Sequence, residues 1–230
     1  MQISHLFAGK PIPFGPRGAP SSIIKQAQTS LEVKFDGAIE DEQGNKKLHG
    51  GPYMALHQYA QSNYSILAKQ FTDNAVAFEI GSIGENLSAP NMDENNVFIG
   101  DQYKIGTCVL QVVSPRAPCS KINHRYQIAS KQKVDLFIGE HALTGWYYSV
   151  VKEGTISLGD HIELLKQGNT QLDIAVVWRL REFAKTLDKS TTEQAVKAAL
   201  KLADLAVNEP ALAPEWQAHI NRVAVKLSKM

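Results

Sequence analysis

The hydrophobic pattern of the chain changes once, at Gly168, and that break constrains the fold more than any other feature. Before it, apolar residues alternate or form short β-branched blocks between turn residues. Leu31, Val33 and Phe35 alternate with polar partners, as on a half-buried strand. Residues 108–114 and 146–151 read as strands, and residues 162–165 as a short last one. Gly-Asp precedes an apolar position twice, in Ile99-Gly-Asp-Gln-Tyr103 and Leu158-Gly-Asp-His-Ile162. That recurrence suits turns entering the strands of a barrel or a folded-over sheet. Short helices are expected near residues 63–71 and 131–138.

After Gly168 the spacing is helical. Thr170 with Asp173 resembles an N-cap and acidic first turn, opening a helix over 174–185. Ser190, Thr191 and Glu193 open a second, over 193–205. Pro214 opens a third, whose Trp216, Ile220, Val223 and Leu227 form one apolar stripe. Three short helices bury little surface alone, so they should pack on each other and on the β region. The expectation is a mainly β chain with α (α+β), made of a β-barrel domain over 1–168 and a small three-helix domain over 169–230.

Composition excludes several function classes. Apolar residues make up 43% and charged residues 20% of the 230, the profile of a folded globular protein. Net charge is +1, so any anion site must come from local clustering. Basic residues are not interleaved with aromatics over a long stretch, which argues against nucleic acid as a partner. No stretch approaches the roughly 20 apolar residues of a membrane helix. The N-terminus is broken by Gly9, Pro11, Pro13, Gly15 and Pro16 and carries no signal-length apolar core. Two cysteines, Cys108 and Cys119, do not make a disulfide framework, and a reducing cytoplasm is the expected setting.

The segment that carries chemistry is Ser114-Pro-Arg-Ala-Pro-Cys-Ser-Lys-Ile-Asn123. Two prolines flank Arg116 and stiffen a loop that leaves an apolar strand. Arg116, Lys121, His124 and Arg125 surround Cys119 in sequence, and cationic neighbours favour thiolate, the nucleophilic and metal-binding form. The competing reading is a buried loop cysteine among surface charges. Cys108, inside a β run, reads as core. In Asp41-Glu-Gln-Gly-Asn-Lys-Lys-Leu-His-Gly-Gly-Pro52, Lys46, Lys47 and His49 precede Gly50 and Gly51. Such a loop can hold a phosphate through backbone N–H groups and cations, or can be an ordinary connection. In Ile83-Gly-Glu-Asn-Leu87, Glu85 offers an acid/base and Asn86 a partner for a heterocycle edge. In Thr144-Gly-Trp-Tyr-Tyr-Ser149 the aromatic cluster can line a pocket for a flat substrate; period-2 burial instead puts Trp146 and Tyr148 in the core, the safer reading for at least one of them. Paired-cysteine zinc spacing, a Gly-x-Ser-x-Gly elbow and a papain-type cysteine context are all absent from the sequence.

Taken together and in order, these strings resemble the MOSC family, and its YiiM branch in particular. They are Asp41-Glu-Gln43, Lys47-Leu-His-Gly-Gly-Pro52 with Ala55-Leu-His57, Gly84-Glu-Asn-Leu87, Gly100-Asp101, Ser114-Pro-Arg-Ala-Pro-Cys119 with Lys121, Gly145-Trp146 and Tyr148-Ser-Val150. The resemblance spans about residue 20 to 165, and the helical tail is similar to the three-helix appendage of YiiM-type proteins. It implies a MOSC-type β-barrel domain in which Cys119 ligates the molybdenum of a molybdopterin cofactor. The implied cofactor set is Cys119, Arg116, Lys121 and Asn123 with Lys47, His49, Gly50, Gly51 and Asn86. His49 or Glu85 would supply a proton beside Cys119, with His49 preferred for its ordinary pKa near neutrality. The implied activity is reduction of N-hydroxylated purine bases and amidoximes, with electrons from a separate flavin or iron–sulfur reductase. Association as a homodimer stays open. Glu40, Tyr53 and Met54 depart from the family's pattern, which bears on substrate choice or cofactor affinity. Two rivals share the loop: a cofactor or persulfide carrier without reductase activity, and a cysteine nucleophile with His49 as base.

Overall fold

A computed structural model describes residues 1–45, 50–128, 131–187 and 191–229. Lys47 and His49 therefore lie outside the described residues. The strands are β1 His5–Ala8, β2 Ile12–Phe14, β3 Ala19–Ser21, β4 Gln26–Gln28, β5 Ser30–Lys34, β6 Gly37–Ala38, β7 Leu56–Gln58, β8 Leu87–Ser88, β9 Gln102–Ile105, β10 Cys108–Pro115, β11 Trp146–Lys152, β12 Gly154–Ser157 and β13 Ile162–Lys166. The helices are α1 Gln61–Gln70, α2 Lys121–Tyr126, α3 Val134–Glu140, α4 Ile174–Thr186, α5 Glu193–Val207 and α6 Pro214–Leu227.

Eight strands form one mixed sheet in the order β13-β9-β10-β11-β7-β8-β1-β4, and β12-β5-β6 form a second. Among the described residues, only β7 and β8 pair in parallel. The large sheet curls into a half-barrel. Residues just before β1 reach its opposite edge: Ile3 N–H donates to Asp160 O at 2.9 Å, and Ile162 N–H to Met1 O at 2.9 Å. The curl places the β10–β11 ends beside β7 and β8, and the cysteine loop leaves from that point.

The Gly-Asp marks are side-chain clamps. Asp101, 1% exposed, accepts from Phe98 N–H (3.0 Å), Tyr103 OH (2.8 Å), Gln167 Nε2 (2.8 Å) and Gly168 N–H (2.7 Å). It thus ties the entry of β9 to the junction where the helical region begins. Asp160 does the smaller version, accepting from Ser157 N–H at 2.7 Å.

Most expected elements form near their expected bounds, with local corrections. Leu31 and Val33 are fully buried on β5, but Phe35 is 54% exposed, because the chain reverses at residues 35–36 before Gly37. The N-cap of α4 is Asp173 rather than Thr170; its carboxylate accepts from Val176 N–H at 2.7 Å. Thr192 caps α5, accepting from Ala195 N–H at 3.2 Å. Helix α2 was not anticipated. On α6, Trp216, Ile220, Val223 and Leu227 are all buried. They join a core that is continuous with Leu110, Val112 and Tyr148 of the sheet, so the helices do not carry a separate core. Ala213 N–H donates to Val113 O at 2.9 Å and fixes the start of α6 on β10. No described helix is long and apolar enough to cross a membrane.

Candidate functional site

Strand β10 delivers Arg116 and Cys119 to the rim of the curled sheet. Arg116 N–H donates to Gly145 O at 3.1 Å, continuing the β10–β11 ladder past its paired end. Pro115 and Pro118 then turn the chain, and Cys119 O accepts from Ile122 N–H at 3.0 Å to start α2. The thiol is half-buried and lines a cleft with about 650 Å³ of space, counting its open mouth.

Lys25, Arg116 and Lys121 line the cleft together with the acidic Asp41 and Glu42. The Arg116 side chain lines the cleft beside Cys119 and Tyr147. Burial works to discharge it, but those neighbours prevail and hold it above its usual value. Lys121 also lines the cleft, its ammonium donating to Pro20 O at 2.6 Å across the gap to β3. Lys25 reaches the same wall from just before β4. Burial lowers its pKa, and its contact with both carboxylate oxygens of Asp41 opposes that. Asp41 is fixed in turn by Gly9 N–H (2.8 Å) and Asn86 Nδ2 (3.0 Å).

His57 on β7 lines the cleft and is 4% exposed. Burial drives its pKa well below the usual histidine value, and the nearby Arg116 and Lys25 charges push it further. Its ring lies 5.4 Å from the Tyr147 ring, and its buried Nε2 has no protein partner. It is therefore a neutral imidazole. Burial raises the Tyr147 pKa, against the pull of Arg116, so that group is a neutral phenol.

The structure sorts the expected residues. Cys119, Arg116, Lys121 and Asn86 share the cleft. The amide of Asn86 is already engaged, accepting from His57 N–H (3.1 Å) and donating to Phe7 O (3.2 Å) and Asp41, so it braces the wall. Gly50 and Gly51 line adjoining recesses instead. Two assignments are corrected. Glu85 is fully buried and accepts from Tyr64 OH and Gly81 N–H, so it cannot pass protons to the cleft; its charge lies behind Lys25. Asn123 points to α3, where Asp135 occupies both ends of its amide at 2.8 and 3.2 Å. Lys25, His57 and Tyr147 were missed as site residues. For Tyr147 a signal existed: if Trp146 and Tyr148 face the core, the residue between them faces the other way.

The MOSC domain family model matches residues 45–163, and the chain belongs to that family, which is associated with molybdenum cofactor binding. It is 35% identical to protein YiiM of Escherichia coli over 169 residues, 72% of this chain and 74% of that one. It is also 36% identical over 162 residues to a protein named reductase from Gibberella moniliformis, covering 70% of this chain but 28% of that protein. The crystal structure of YiiM from Geobacillus stearothermophilus superposes with a TM-score of 0.74 at 24% identity, over 97% of this chain and 98% of that one. YiiM from Escherichia coli gives 0.70 at 22% identity, over 98% and 94%. These two likenesses establish the fold: α+β, a half-barrel with a C-terminal helical region.

Proposed function

We propose that this chain binds a molybdenum–pterin cofactor through Cys119 and reduces small N-hydroxylated compounds with electrons from a separate flavin or iron–sulfur reductase. One observation carries the reading: the half-exposed thiol shares a single cleft with the Arg116, Lys121 and Lys25 cations.

The residues present fit the group. A thiolate is a soft donor suited to molybdenum. A phosphate-bearing, sulfur-rich ligand is anionic, and Arg116 and Lys121 can balance such charge. Among the described residues no three His, Cys, Asp or Glu side chains cluster as a metal site, which fits a metal with Cys119 as its one side-chain ligand. The unpartnered His57 Nε2 offers one further acceptor, the kind of orphan that a ligand N–H can satisfy. The bound group would supply the two electrons that convert an N–OH to an N–H and water, with two protons taken up.

The chain's own residues have simpler tasks. Arg116 places a positive charge beside the Cys119 sulfur, with Tyr147 as its neighbour in the cleft. The Lys25–Asp41 pair presents a fixed positive edge while remaining almost neutral overall. Proton delivery is assigned to His49, since Glu85 is sealed behind Tyr64. Turnover of an amidoxime by the cofactor-loaded protein, with NADPH and a flavoprotein reductase, tests the reading. Amidine formation is expected; bound cofactor with no turnover would favour a carrier instead.

A further inference from the structure

A second recess adjoins the cysteine cleft, and its chemistry is the opposite of that cleft's. It lies between the short 3-10 turn Pro52–Met54 and the start of α6, above Ser114 of β10. Pro52, Tyr53, Met54, Pro214 and Trp216 form its walls, and Glu215 is the one charged side chain among the described residues that line it. It offers about 590 Å³ of space, counting its open mouth. Met54 lines both cavities, so the apolar recess adjoins the site of Cys119.

The recess is built rigidly where it must recognise and left open where it must admit. Trp216 is 5% exposed, and the start of α6 is tied to β10 by the Ala213–Val113 hydrogen bond. The Arg181 guanidinium sits 5.0 Å from the Trp216 ring and supports it from outside. Tyr53, by contrast, leaves 42% of its surface in water. At Gly51, with φ at +97°, an added Cβ would meet nothing within 4 Å, so the backbone above the recess is uncrowded. A half-open tyrosine beside a buried tryptophan in a concave, mostly apolar wall is the kind of lining a ligand pocket has.

We propose that this recess is the specificity pocket of the site and takes the flat, apolar or aryl body of the substrate, whose N–OH end enters the cleft past Met54. The proposal rests on the reductase reading for the identity of the reacting end, and on the recess alone for the body. It predicts discrimination by body rather than by reacting group, because the two ends of the substrate are bound by separate walls.

Calorimetric titration of the cofactor-loaded protein with benzamidoxime and with acetamidoxime tests it, since the two share the reacting group and differ in the ring. Benzamidoxime should bind at least about tenfold more tightly, the scale expected for burying a ring. Tyr53→Ala should weaken benzamidoxime about five- to tenfold more than acetamidoxime. Equal affinities in the wild type, or an equal effect of Tyr53→Ala on both ligands, would overturn the specificity pocket whether or not either compound is reduced. Turnover in parallel reports on the reductase reading separately, so aryl-selective binding without reduction would uphold the pocket and sink the activity.

Discussion

Lys25 and Asp41 form an ion pair in the wall of the cysteine cleft, with 6% and 5% of their side chains exposed. The pair joins the segment before β4 to the loop that follows β6, and Asp41 also holds Gly9 and Asn86. Removing one member strands the other charge in a dry wall. Asp41→Ala should therefore destabilise the fold by about 3–5 kcal/mol, read as a lower urea midpoint. Adding Lys25→Ala to that variant should cost much less than Lys25→Ala alone, since the stranded charge is gone.

Glu94 links the site to pH. Its carboxyl is 2% exposed and accepts from Gly145 N–H at 2.7 Å and Asn63 Nδ2 at 2.8 Å. Burial pushes its pKa from 4.5 up to about 7. The folded protein therefore keeps a proton that the unfolded chain has lost. The resulting stability is fully present below pH 4.5 and declines as pH rises towards 7, by about 3 kcal/mol in all. Glu94→Gln keeps an acceptor for Gly145 and should flatten that part of the pH–stability curve, as thermal denaturation in a buffer series would show.

Asp101 should matter far from the cleft. Its four accepted hydrogen bonds hold β9 against the Gly168 junction. Asp101→Ala leaves several buried donors unpaired and should cost about 3 kcal/mol or more. Amide exchange should rise most around residues 98–103 and 167–169. Uniform exchange across the chain would show that the clamp does not act locally.

Much of this architecture was legible because burial leaves a period in sequence. The α6 stripe and the alternation of Trp146 and Tyr148 follow from geometry that repeats every 3.6 or 2 residues. The cysteine loop was legible because prolines and cations cluster in a short stretch. Residues that serve the site through tertiary contact leave no such trace. Lys25 is an isolated lysine until Asp41, 16 residues away, meets it. Glu85 misleads for the mirror reason: a Gly-Glu-Asn triplet says nothing of the direction in which its carboxylate points, and Tyr64 captures it from α1. Asn123 lies in the informative segment, but α2 turns its amide to Asp135. Helix α2 was missed because its six residues are too few to show a period.

The central claim is that the Cys119 sulfur holds the metal. Protein made in a host competent for cofactor synthesis should contain close to one molybdenum and one pterin per chain. Cys119→Ala, folded as judged by an unchanged circular dichroism spectrum and melting curve, should contain neither. Equal molybdenum in the two proteins, or none in the intact wild type, would contradict the account.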